Sequence, residues 1–410
     1  MQIPCLVSVT LRDREQIMKK IIIFLILILL TTSSLFAQLT VSGILDSTVS
    51  FNAGAGDSQD FSFGIEEFAN IRFQSRIRDN ATISGAVNLI AAAGSYAAAA
   101  QAQALHGGDS PLAVTSYIAG DNFIAAIELE RLHFRLRGEH LDFDGGLMRL
   151  PFGYGQVWGS SDFLNPRNPL KPDARPRGIL VASLTWYPID ELKLLAFFSA
   201  PRNVFLSDGS GSLAGLSLDR HWEKVSVQAL YSYQMPSDNF SYGVHRAGLS
   251  VKADIEVGLF VDALYTYNYG AGTEWDGLSF SIGADYSFFD GNLIVLAEYL
   301  YNGETSSTAF GYGGNFLNNH YLSASFTLRF NDFTNMSLGL ISCFDDISFT
   351  TVIGFNHELF QGATLMLTAQ VPLDRDLFTG DGNRGELGPI NPMYNIGSYF
   401  NFTARVRLRF

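Results

Sequence analysis

Charge is scarce in this 410-residue chain. Only 16% of its residues are Asp, Glu, Lys or Arg, against about a quarter in soluble domains. The few charges lean acidic, 27 basic against 40 acidic for a net −13, and nucleic acid as a partner is excluded because it demands a basic face. Cysteine is nearly absent. Cys5 and Cys343 cannot build a disulfide framework or a paired-cysteine metal site. The seven histidines are scattered, with no H-E-x-x-H pattern. No serine sits in a G-x-S-x-G elbow, and the glycines near Gly54 and Gly56 lack the lysine and helix of a phosphate loop. No enzyme activity, cofactor or metal is therefore expected.

A long apolar run is also missing. The one candidate, Ile21–Leu30, has ten residues, and a spanning helix needs roughly 20. It follows Met18-Lys19-Lys20 and precedes "TTSSLFA", which is the build of a secretory signal peptide cleaved after Ala37. The expected organisation is residues 1–37 as an N-terminal extension plus signal peptide, with Met18 as the start of translation, and 38–410 as one domain. No plug-sized segment precedes the first strand of that domain.

What is abundant is aromatic residues, glycine and two-residue alternation: 33 Phe, 17 Tyr and 39 Gly. In "LSFSIGADYSF", Leu278, Phe280, Ile282, Ala284, Tyr286 and Phe288 share one face. In "YLSASFTLRF", Leu322, Ala324, Phe326, Leu328 and Phe330 do the same. Strict alternation marks strands with one apolar and one polar face. About eighteen such segments begin near residues 39, 65, 81, 123, 140, 177, 190, 212, 223, 243, 256, 276, 291, 319, 334, 347, 361 and 398. Tight turns such as "FFDGN" and "NDFTN" alternate with long loops, notably 94–122, 151–176, 303–317 and 373–397. Segment ends carry aromatic clusters, as in "YTYNYG" and "EYLYNG", which suit membrane interfaces. The pattern predicts an all-β, transmembrane antiparallel β-barrel of about 18 strands, within a range of 16–20, with short periplasmic turns and long extracellular loops. A secreted sandwich is the competing β architecture, but its exposed face would be richer in Lys, Glu and Thr.

The chain ends "SYFNFTARVRLRF", with Phe400, Phe402, Leu408 and Phe410 on one parity. This resembles the C-terminal signal of bacterial outer-membrane barrel proteins. The resemblance implies that the barrel-assembly machinery reads the last strand, which then closes against the first. It also implies outer-membrane lipid as the surroundings, and a porin-like homo-trimer as an assembly to test.

Two groups of residues are candidates for function. The first is the loop "RLPFGYGQVWGSSDFLNPRNPLKPDARPRGI", with five prolines that restrict its backbone. Its "FGYGQVWG" and "NPRNP" pieces resemble the loop after a "G-x-x-R" strand end in porin-like proteins. The loop is expected to fold inward over 151–176 and constrict a channel. Arg149, Tyr154, Trp158, Asp162, Arg167, Lys171, Asp173, Arg175 and Arg177 are its candidate residues. The second group is a basic set on polar parities: Arg72, Arg76 and Arg78 on one strand, and Arg405, Arg407 and Arg409 on the last. Arginine in lipid costs about 2–4 kcal/mol at mid-membrane, so these should face a lumen and attract anions. No carboxylate partner for them is evident in the sequence, whereas Arg135 and Arg137 should pair with Asp144 and Asp142 across a turn. Asp262, Asp285 and Glu298 are expected on an opposing wall. In "IELERLHFRLR" a parity switch near Glu130 calls for a β-bulge. The expected function is passive passage of small hydrophilic solutes, anions among them. The alternative is a non-conducting barrel displaying its loops for adhesion.

Overall fold

A computed structural model describes residues 39–54, 61–95, 97, 116–120, 122–165, 169, 178–200, 211–236, 243–268, 277–303, 318–380, 385–389 and 398–410. The expected signal peptide lies outside these residues, as do Arg167, Lys171, Asp173, Arg175 and Arg177.

Alternating segments of the sequence become strands. In order these are β1 (Leu39–Gly54), β2 (Phe61–Arg78), β3 (Ala81–Gly94), β4 (Ser116–Gly120), β5 (Phe123–Arg137), β6 (Leu141–Met148) and β7 (Ile179–Ile189). There follow β8 (Leu192–Ser199), β9 (Leu213–His221), β10 (Val225–Gln234), β11 (Val244–Asp254), β12 (Gly258–Asn268) and β13 (Leu278–Phe288). The remainder are β14 (Leu293–Asn302), β15 (His320–Asn331), β16 (Thr334–Cys343), β17 (Ser348–Phe360), β18 (Ala363–Leu373) and β19 (Ser398–Arg409). A five-residue helix α1 (Arg375–Thr379) follows β18, capped by the Asp374 side chain and by Gly380 in the left-handed conformation.

Every neighbouring pair is antiparallel, and β19 pairs with β1, which closes the sheet. The ring itself has 18 strands. The remaining strand, β4, pairs with the Phe123–Ile127 half of β5, beyond the stretch that β6 occupies. It was not expected from the sequence and lies within the loop 94–122. Closure is completed by Phe410, which exchanges backbone hydrogen bonds with Gly43. Its ring lies where a Cβ on residue 43 would stand, so glycine is needed there.

Burial inverts the soluble pattern. On β9, Leu216 is 61% exposed while its neighbour Ser217 is 5%. On β12, Val261 is exposed while Asp262 is fully buried. Apolar side chains thus point out of the ring and polar ones into it, as a barrel in lipid requires. At the loop end, outward rings cluster between strands: the Tyr231 hydroxyl lies 2.8 Å from His245 Nδ1, and that of Tyr299 2.7 Å from His320 Nδ1.

The expected bulge is present. Ala86 faces Arg131 and Val87 faces Leu129, so Glu130 is the extra residue of β5. Consequently both Glu130 and Arg131 are on the inner side, and Leu132, Phe134 and Leu136 resume the outward parity.

Candidate functional site: an inward segment and a basic wall

Between β6 and β7 the chain does not stay at the rim. Residues 150–165 hydrogen-bond to inward side chains of β9 to β14, six of the 18 strands of the ring. A backbone without strand partners must satisfy its N–H groups elsewhere, and here inward carboxylates accept them. Tyr154 N and Gly155 N each donate to one oxygen of Asp262 at 2.8 Å. Gln156 N, Val157 N and Trp158 N donate to Glu298 at 3.0, 2.7 and 3.2 Å. The Gln156 side chain donates to Asp285 at 2.7 Å, and Gly153 N to Gln228 Oε1 at 2.7 Å. The Tyr154 hydroxyl donates to Asp219 at 3.0 Å. Burial, with Asp219 beside it, pushes that phenol well above its ordinary range, so it stays a donor.

Glycine makes this approach feasible. Gly153 has φ +82°, and a Cβ on it would strike the Asp262 carboxylate. A Cβ on Gly155 would stand 2.8 Å from the Gly159 backbone and 2.9 Å from Asp262 Oδ2. Consecutive N–H groups with a positive φ among them form a concavity suited to an anion, which Asp262 fills.

The underside of the segment is apolar. Phe152 and Phe163 stack with centroids 6.1 Å apart and pack with Met148, Val181, Leu195, Phe197, Leu213, Leu230 and Leu264. Those wall residues are on inward parities, where polar side chains were expected; the covering segment keeps them dry. Each buried large apolar side chain contributes about 1.5–3 kcal/mol. Asn165 ties off the base by accepting from Leu150 N at 2.8 Å, while its own N donates to buried Asp162.

The basic wall lies across the ring, on β19, β1, β2 and β5. Arg407 meets Asp46 through two hydrogen bonds of 2.8 Å, Arg405 donates to Thr48 Oγ1 at 3.3 Å, and Arg72 donates to Asn70 Oδ1 at 2.7 Å. Arg76, Arg78 and Arg409 are exposed near the turn end. The expectation that the last-strand arginines lack partners is corrected for Arg407: barrel closure sets Asp46 directly opposite it. Arg135–Asp144 at 2.6 Å and Arg137–Asp142 at 2.7 Å pair as the turn predicted.

Glu130, missed as a site residue, is a hub at 7% exposure. It accepts from Asn70 at 2.5 Å and pairs with Arg131 at 3.3 Å and Arg149 at 3.4 Å. It therefore ties the root of the inward segment to the wall. Asp262, Asp285 and Glu298 lie on the facing strands and accept hydrogen bonds from the segment, Asp262 and Glu298 being fully buried. Arg246 is buried, with its guanidinium 5.0 Å from the Phe163 ring centroid. Cys343, Asp346 and Glu386 bring a thiol and two carboxylates within 4.8 Å of one another, but both carboxylates already accept from Asn318.

A closed 18-strand antiparallel ring with an apolar exterior, a polar interior and an inward segment has the porin-like fold of a membrane-spanning β-barrel. Known structures have the same architecture. The fold is similar to that of OccAB4 from Acinetobacter baumannii, with TM-score 0.54 and 12% identity over 92% of this chain and 99% of that one. It is similar to OccK8 (OprE) from Pseudomonas aeruginosa, with TM-score 0.51 and 11% identity over 92% and 98%. A BenF-like porin from Pseudomonas fluorescens Pf-5 gives 0.52 and 9% over 92% and 99%. No protein-family model matches the chain, and no curated protein sequence does.

Proposed function

We propose that the protein is a passive outer-membrane channel for small hydrophilic solutes, narrowed by residues 150–165 and biased toward anions by the arginines opposite. The observation that carries this reading is the hydrogen bonding of residues 153–158 to Gln228, Asp219, Asp262, Asp285 and Glu298. That arrangement occupies the β9–β14 side, and the proposed solute path runs along β19, β1, β2 and β5. Backbone N–H groups offset the carboxylate charge on the covered side, and Arg72, Arg405 and the Asp46-paired Arg407 line the other. Barrels of 16–18 strands hold an aqueous channel, and the solved structures of similar fold include one described as a porin. The arginines of 166–177, outside the described residues, belong to the same proposed constriction.

Planar-bilayer recording tests the proposal. Single-channel conductance with anion-over-cation permeability is the expected result. Silence from correctly folded protein would reject it and favour the loop-display reading.

A further inference from the structure

The connection after β18 contributes a second inward piece. Residues 385–389 are all buried, with Glu386 at 3% and Leu387 at 2% exposure. Leu387 N donates to Ser348 Oγ at 3.0 Å, Thr350 Oγ1 donates to Leu387 O at 2.9 Å, and Glu386 N donates to Asp346 Oδ2 at 2.6 Å. A Cβ on residue 385 would collide with Ser348, and one on residue 388 with Asp374. The strip therefore lies directly against the inner wall, held by groups from the β15–β17 stretch of the ring.

It also meets the first segment. Leu387 belongs to one apolar cluster with Trp158, Leu300, Tyr321, Ile341 and Cys343. Tyr321 serves both sides of this junction. Its ring centroid is 5.7 Å from that of Trp158, and its hydroxyl donates to Glu386 Oε2 at 2.5 Å. Asn318 reinforces the same carboxylate: its N donates to the Tyr321 hydroxyl at 2.9 Å, and its Nδ2 donates to Glu386 Oε2 at 3.0 Å.

We propose that residues 385–389 are a second aperture-setting element, and that Tyr321 is a positioning residue coupling it to Trp158. The proposal rests on reading residues 150–165 as the constriction. The two pieces cover adjacent arcs, β9–β14 and β15–β17, so together they confine passage to the arginine side. Trp158 has no exposed surface, and withdrawing Leu387 would uncover part of the cluster that holds it. Displacement of either piece therefore loosens the other.

The test is single-channel conductance of the full-length protein in four single variants, Tyr321→Phe, Glu386→Ala, Glu386→Gln and Glu298→Ala, and one double variant. Tyr321→Phe keeps the ring against Trp158 and removes only the donor. The expected result is higher conductance, or new substates, in Tyr321→Phe and Glu386→Ala. Glu386→Gln keeps an acceptor for Tyr321 and Asn318, so it should restore much of the wild-type trace; a mere charge effect would make Gln resemble Ala. The double variant Tyr321→Phe, Glu298→Ala should change conductance by less than the sum of the two single changes. Wild-type traces in the Tyr321 and Glu386 variants, with a raised conductance in Glu298→Ala, would overturn the second element and leave the first reading intact. Wild-type traces in all four would overturn both. Heat-modifiable gel mobility identifies folded barrels, and Leu387→Ala replaces any variant that fails to assemble. Lowered thermal stability without any conductance change would also overturn the proposal.

Discussion

Arg407 of the last strand and Asp46 of the first are joined by two hydrogen bonds of 2.8 Å across the seam where the barrel closes. Asp46 is 5% exposed, so breaking the pair strands a charge in poorly solvated surroundings. Losing one partner of a buried pair costs about 3–5 kcal/mol, reduced here because the Arg407 side chain is 17% exposed. Asp46→Ala should unfold at lower urea concentration than wild type, and the exchange Asp46→Arg with Arg407→Asp should recover part of the loss. Equal midpoints for Asp46→Ala and wild type would refute a role for this pair in closure.

Asp262 supports two backbone N–H groups of the inward segment. Each buried donor left unsatisfied costs about 1–3 kcal/mol. Asp262→Ala should therefore free the segment, seen as raised conductance and faster proteolysis between residues 150 and 165.

Gly155 is tested apart from the carboxylates. A valine there would place Cβ within 2.8 Å of the Gly159 backbone, too close to accommodate without moving the chain. Gly155→Val should disturb conductance while the barrel still assembles, because the wall strands are untouched. Unaltered channels would show that the close approach is dispensable.

Deleting Glu130 removes the extra residue of β5. Leu129 then points outward and Arg131 inward in unbroken alternation, so both halves of the strand keep their facing. The barrel should still assemble, read as retention of the heat-modifiable band, while the carboxylate that meets Asn70, Arg131 and Arg149 is lost. Glu130→Gln should likewise keep the barrel and loosen Arg149; loss of the band in the deletion would show that the bulge itself is needed for assembly.

Arg72 and Arg405 lie on the side of the ring opposite the inward segment. Replacing both with glutamine should shift the reversal potential in a salt gradient toward cation permeability. The shift should shrink as salt rises, because the Debye length falls to about 8 Å at physiological ionic strength. No shift at low salt would remove these residues from the solute path.

The strands were legible because a barrel's constraint is local. Lipid outside and water inside impose alternation on each strand, so Leu216–Ser217 or Val261–Asp262 announces its own orientation. The bulge at Glu130 was readable for the same reason, as a break in that alternation. The Arg135–Asp144 and Arg137–Asp142 pairs needed only a short turn to fix register. By contrast, Asp46 is more than 350 positions from Arg407 in sequence, and only closure makes them neighbours. Inward Leu230 and Leu264 depart from the polar interior, and only the covering segment accounts for them.

By itself, then, the sequence determined an all-β barrel of eighteen alternating strands, which face is oily, and which connection is unusual enough to carry function. Only the tertiary structure decided that Asp262 and Glu298 receive the backbone of residues 154–158, that Glu130 links Arg149 to the wall, and that Glu386 meets Tyr321. The physical reason is the range of the forces involved. Side-chain alternation is set residue by residue by the surrounding medium. Buried N–H and carboxylate groups instead find partners wherever closure brings them together, and no local pattern in the chain records that choice.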